Sequence, residues 1–248
     1  MSESGVPPET VERFGRPMRQ FPVAVSAGAM AGAWARQENA PAGATVVVDR
    51  EISALGLHGR PWDPPPASTL TLAMVLRPAV PPEQGDVVWL VAGLGLLRGI
   101  QAVVADRELA TRWPDLVVDA TSRQVVANTK VDVQLGPGEV RAAVATMRVD
   151  LGELGLEEPA QRDALIEAIV GATDEVAATL AEGPESAVAA YEGSSLLVDR
   201  RVKLRLMPKG ETRGTVRSFD RSGRLELASA TGMIERISVD MLRELQVV

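Results

Sequence analysis

Reactive side chains are few in this chain, and their scarcity narrows the chemistry it can perform. There is no cysteine, which excludes disulfides, thiolate metal ligands and a cysteine nucleophile. His58 is the only histidine, so no paired-histidine zinc motif exists and any histidine-based triad depends on that one residue. Of the 26 basic side chains three are lysines, Lys130, Lys203 and Lys209, and the rest are arginines. His58 could act as a general base only beside an orienting carboxylate and a substrate proton; otherwise it is a solvated loop residue. Gly93, Gly95 and Gly99 have the wrong spacing for a dinucleotide loop and lie in a helical segment, which points to close helix packing. Arg60 and Arg112 are the candidates for holding an anion, with ion pairs to Asp63 and Asp115 as the alternative. Trp113 is a core or cleft-wall aromatic, and the acidic run Glu153, Glu157, Glu158 is a solvated helix start.

The rest of the composition sets the class of molecule. The 248 residues carry 33 acidic against 26 basic side chains, a net charge of −7, and 46% are hydrophobic. That is the balance of a globular protein with one large domain, or with a core domain and a small appendage. Net acidity argues against nucleic acid, which needs a basic stripe, and four Trp, one Tyr and three Phe leave little for base stacking. No run approaches the ~20 apolar residues of a membrane span. Met1 to Thr10 lacks the basic and apolar runs of a signal peptide, so a cytoplasmic location is expected.

Residues 1–20 read as a flexible lead-in. A helix is expected over Val23 to Gln37, then a strand from Ala44 to Asp49, a Gly/Pro loop from Ser53 to Pro66 and a strand from Thr69 to Leu76. Pro82 to Val104 has a proline pair and Glu83 at its start, a helix signature. Arg112 to Asp119 and Arg123 to Leu135 read as paired strands, followed by a Gly136-Pro137-Gly138 turn and a strand over Val140 to Val149. Leu165, Ile166, Ile169, Val170, Val176 and Leu180 fall at helical spacing between Glu158 and Glu182. A boundary is expected over Gly183 to Ser195, then short strands from Val202 to Val248 that suit a small β-barrel. The pattern is α+β rather than strictly parallel α/β.

One run is distinctive. Gly59-Arg60-Pro61-Trp62, then Pro64-Pro65-Pro66, then a strand ending Leu76-Arg77-Pro78, resembles the biotin protein ligase family. That family has a Gly-Arg-rich loop, Gly-Arg-x-Trp, Ser-Pro and a strand ending in Arg-Pro. Arg112-Trp113-Pro114-Asp115-Leu116 is similar to its Lys-Trp-Pro-Asn-Asp-Leu signature. Arg123-Gln124-Val125-Val126-Ala127 sits where the family has Arg-Lys-Val-Ala-Gly, and the stretch from Val202 to Leu245 resembles its small C-terminal barrel. The resemblance spans residues 22–248. No counterpart of the DNA-binding helix-turn-helix of repressor-type members is expected from it.

The resemblance implies a biotin/lipoate protein ligase-like mixed-sheet domain over residues 21–185 and an SH3-like β-barrel over 195–248. It also implies an activity: a biotin-type acid is joined to ATP, with magnesium, as an acyl-adenylate, and the acyl group passes to a lysine of a biotinyl- or lipoyl-type carrier protein. By position, the ligand-binding residues would be Gly56, Gly59, Arg60, Trp62, Arg112, Trp113 and Asp115. No metal site is indicated, and edge-to-edge sheet pairing in the family leaves a homodimer open.

The departures fall on the chemistry. The family loop Gly-Arg-Gly-Arg-Arg-Gly-Arg appears as Ala54-Leu55-Gly56-Leu57-His58-Gly59-Arg60. The glutamine before it appears as Glu51, a carboxylate that would repel an acid or phosphate. The family's Asp-Ser-Thr-Asn aligns with Ser26-Ala27-Gly28-Ala29. The lysine that contacts the reacting carboxylate aligns with Gln124. Lys130, on the same expected strand but ~20 Å further along, is its one possible substitute. Each lost charge-assisted contact costs ~2–3 kcal/mol. The expectation is therefore a divergent ligase-like protein without standard biotin ligase activity, acting as a ligand- or protein-binding module. The alternative is an acyl-protein ligase or acyltransferase with an altered acid or acyl donor. A cleft plugged by Leu55 and Leu57 would favour the first, and a cationic cleft the second.

Overall fold

Two layers of apolar alternation dictate the main sheet. The computed structural model describes residues 9–61, 69–156 and 158–248. Its first half runs β1 (Val11–Arg13), β2 (Arg16–Ala24), α1 (Ala27–Gln37), β3 (Thr45–Glu51), β4 (Thr69–Leu76), α2 (Val87–Val103), β5 (Leu109–Arg112) and β6 (Leu116–Asp119). It continues through β7 (Val125–Gly136), β8 (Glu139–Asp150), α3 (Leu151–Leu154), α4 (Pro159–Ala178) and α5 (Glu185–Ser194). The chain finishes with β9 (Arg201–Leu206), β10 (Gly210–Phe219), β11 (Leu225–Ala228), β12 (Ile234–Ile237) and β13 (Leu242–Val247). The sheet order is β1-β2-β3-β4-β8-β7-β6-β5, with β2 and β3 parallel and every other pair antiparallel. This is the expected mixed-sheet α+β architecture.

Central strand β4 is buried on both faces, and period-2 alternation divides its side chains between two cores. Leu70, Leu72, Met74 and Leu76 meet α2 and α4, whereas Ala73 and Val75 join Val46, Val48 and Val144 under α1. Helix α2 is apolar apart from exposed Arg98 and Gln101 and is correspondingly buried along most of its length. The spacing of its glycines is explained by α4: a Cβ on Gly95 would strike Thr173 and one on Gly99 would strike the backbone of Ile169. Pro159 at the first turn and a Glu158–Gln161 capping box start α4.

The second sheet has the order β12-β11-β10-β9-β13, all antiparallel. Five strands agree with an SH3-like unit, but the sheet is open, since β12 and β13 remain its edges, and not the closed barrel expected. It docks on the main layer through a row of specific contacts. Val239 N–H donates to Asp86 at the start of α2 (3.0 Å), Phe219 N–H donates to Glu192 of α5 (2.7 Å), and Gly223 abuts the Asp86–Val87 backbone.

Four expectations are corrected. Residues 11–13 and 16–24 are strands, not lead-in, because Phe14 and Gly15, both at positive φ, close a tight hairpin that Pro17 and Pro22 obscured. The first helix starts at Ala27 and not Val23, where Ser26 accepts the Ala29 N–H and caps it. Arg112 to Asp119 is not one strand: β5 and β6 form a hairpin that turns at Trp113–Asp115. Gly183-Pro184 ends α4 as expected, but Pro184 then leads directly into α5.

Candidate functional site

One face of the main sheet is polar where it should be apolar. Register pairs Asn128 with Arg148 and Lys130 with Thr146 across β7 and β8, so these four project on the α1 side. Helix α1 is built of Ala and Gly along its buried face and covers β3, β4 and part of β8. It leaves the β7 half of that face open.

At the centre lies a buried ion pair. The Arg148 guanidinium donates to Glu51 Oε2 at 2.7 Å, and both side chains are 3% exposed. The other oxygen, Oε1, accepts the Ala27 N–H at 2.9 Å and so ties the pair to the first turn of α1. The repulsive carboxylate expected at Glu51 is thus neutralised by a residue that sequence reading passed over. Arg148 Nη1 and Thr146 Oγ1 remain buried without a partner.

The loop after β3 crosses this face. Its base is pinned by Ile52 N–H to Ala24 O and Ser53 N–H to Val25 O, and its tip by Gly56 N–H to Arg60 O at 2.8 Å. His58 and Gly59 take positive φ, so the tip folds back as a short 3-10 turn. Leu55 faces one cavity, of about 450 Å3, whose walls include Ser26, Gly28, Lys130, Thr146 and Arg148. Gly56, Leu57, His58 and Arg60 face another, of about 290 Å3. The cleft is open, and Leu55 and Leu57 line it without plugging it.

The smaller cavity gathers four separate segments: the loop tip, the Arg112–Leu116 turn, Asn128 of β7, and Leu242–Leu245 of β13. Three arginines, Arg60, Arg112 and Arg243, meet two acids there, Asp115 and Glu244. Burial pushes the Asp115 carboxyl up to about 6, against the opposing pull of the Arg112 charge. No ion pair joins Arg112 to Asp115 among the described residues. Arg243 lies 3.0 Å from His58 Nε2 and 3.2 Å from Nδ1, and also donates to Asp240 O at 2.7 Å. Burial, then the Arg243 charge, lowers the His58 pKa, which favours the neutral ring beside the guanidinium. Deepest are Asn128, fully buried with neither Oδ1 nor Nδ2 partnered, and Trp113, whose Nε1–H is likewise unpartnered.

Of the residues singled out by sequence, Gly56, Arg60, Arg112, Trp113 and Asp115 converge on this cavity. Gly59 shapes the loop but does not line it. Trp62 and Asp63 lie outside the described residues. Gln124 sits apart: its side chain donates to Glu153 at 2.7 Å, in a cluster with Arg107 and Asp119. That cluster also corrects the reading of Glu153 as merely solvated. Lys130 belongs to the larger cavity and pairs with Asp132 at 2.9 Å. It does not stand in at the Gln124 position. Sequence reading missed Asn128, Arg148 and Arg243. A polar residue at an inward position of an otherwise apolar strand was the available signal for the first two. No group of three or more His, Cys, Asp or Glu side chains able to hold a metal ion occurs among the described residues.

Comparison with known proteins places this geometry in a familiar scaffold. The chain superimposes on the biotin protein ligase of Aquifex aeolicus in complex with biotin and ATP with a TM-score of 0.72. Identity is 15%, over 93% of this chain and 99% of that one. A biotin protein ligase-like protein of unknown function from Silicibacter matches with a TM-score of 0.67 at 16% identity, covering 91% of this chain and 95% of the other. The biotin protein ligase of Leishmania major in complex with biotin gives 0.58 at 16% identity, over 89% and 98%. Among curated proteins, the bifunctional ligase/repressor BirA of Bacillus spizizenii is 24% identical over 115 residues, 46% of this chain and 34% of that relative's length. No protein-family model matches. The fold is biotin protein ligase-like.

Proposed function

We propose that this chain is a small-molecule-binding protein on a biotin ligase-like scaffold that does not carry out standard biotin adenylation. The observation that supports binding is Asn128, a residue of the cleft wall whose amide is buried and meets no partner. A buried polar group without a partner costs about 1–3 kcal/mol, a cost that a bound ligand with a planar amide-like edge removes. Three arginines on the same walls favour negative charge on that ligand. Nucleotides combine both features and are the class proposed. Loss of biotin chemistry is supported by Gln124, which lies away from the cleft, and by Glu51, a carboxylate paired with Arg148 at the position where the resemblance implies a glutamine. A biotinyl- or lipoyl-type carrier protein would be the partner, in the cytoplasm.

A second reading, an acyl-protein ligase with an altered acid, is favoured by the unplugged cleft and by the same arginines, since a developing pyrophosphate needs cations. Calorimetric titration with AMP and ATP–Mg tests the first. Saturable binding lost in Asn128→Leu supports it; no binding, or binding indifferent to Asn128→Leu, overturns it.

A further inference from the structure

Beyond the cleft, a third cavity of about 450 Å3 opens between the β5–β6 hairpin, the segment joining α5 to β9, and edge strand β13. Its charged side chains are Arg112, Arg123 and Arg200, and no carboxylate of the described residues lines it. None of these three forms an ion pair or side-chain hydrogen bond among the described residues. They come from three separate segments, and Arg123 is held at φ 65°, a left-handed conformation that costs a non-glycine residue energy. The floor is aliphatic, from Val118, Leu197 and Leu245.

The geometry points to this cavity as a binding site for a phosphate monoester carrying an apolar body. Three guanidinium forks match the three terminal oxygens of a phosphate, one more than a carboxylate presents. The volume exceeds that of a bare anion, and the aliphatic floor accounts for the remainder. Like-charge repulsion among the arginines is relieved when the dianion enters. Arg112 and Leu245 line both this cavity and the smaller one of the cleft, so occupancy of one is felt in the other. The site stands whether or not the cleft binds nucleotides.

The test is calorimetric and thermal-shift titration of the full chain with phenyl phosphate, benzoate and phenol at low salt. The site predicts saturable binding of phenyl phosphate at one per chain, benzoate at least about tenfold weaker and no binding of phenol. Arg123→Gln with Arg200→Gln, exposed positions that do not line the cleft cavities, is expected to weaken phenyl phosphate about 100-fold. Equal affinity for benzoate and phenyl phosphate, no binding by the parent chain, or undiminished binding by the double variant overturns the proposal.

Discussion

Arg148 and Asp115 show how single side chains set the character of the cleft. Both partners of the Glu51–Arg148 pair are 3% exposed, so removing one strands a charge in a dry interior, at about 3–5 kcal/mol. Arg148→Met is therefore expected to lower stability by that amount in urea unfolding, and adding Glu51→Gln to recover much of it. Asp115 acts in the opposite sense. Its carboxyl is raised to about 6 by burial, so between about pH 4 and pH 6 the folded chain holds a proton that the unfolded chain has released. Its contribution to stability is full below pH 4, falls as pH rises to 6 and is level above. Wild-type stability measured against Asp115→Asn is predicted to decline by on the order of 2–3 kcal/mol between pH 4 and pH 7. Asp86, also raised to about 6 by burial, is common to both proteins and cancels. A flat difference would contradict the assignment.

At the scale of elements, the close approach of α2 and α4 depends on two glycines. Gly→Ala inside a helix normally gains stability, by about 1 kcal/mol. Here a Cβ at Gly99 meets the Ile169 backbone, which cannot move aside, so Gly99→Ala is expected to cost about 1–3 kcal/mol in thermal or urea unfolding. This packing was legible because Gly93, Gly95 and Gly99 sat in an apolar helix with the wrong spacing for a phosphate loop. Strands β3, β4, β7 and β8 were legible for the same kind of reason, a clear alternation or β-branched run bounded by turn residues. The β1–β2 hairpin was not, since its turn uses Phe14 at positive φ and its strand contains two prolines. Half of the cleft was also hidden. Motif order found Arg60, Arg112, Trp113 and Asp115, but Asn128 and Arg148 matter through cross-strand register, and Arg243 through docking of a distant sheet, neither of which local spacing encodes.

Over the whole molecule, the cleft exists because the two sheets are docked. Trp113 and Tyr191 both pack against Phe219, at ring separations of 6.3 and 5.2 Å, and the Asp86–Val239 and Glu192–Phe219 hydrogen bonds tie the same seam. Unfolding is accordingly expected as one transition, with tryptophan fluorescence and far-UV circular dichroism coincident; separate transitions would show that the second sheet melts alone. The central claim is that this scaffold keeps a ligand cleft and has lost the biotin reaction. Its most direct measurement is pyrophosphate release from ATP–Mg with biotin, lipoate or octanoate, alongside thermal shift with the same pairs. Binding at a hundredfold excess over Kd adds about 2.7 kcal/mol of stability. A shift with ATP–Mg and no biotin-dependent pyrophosphate is the predicted result. Pyrophosphate released with biotin would contradict the account outright.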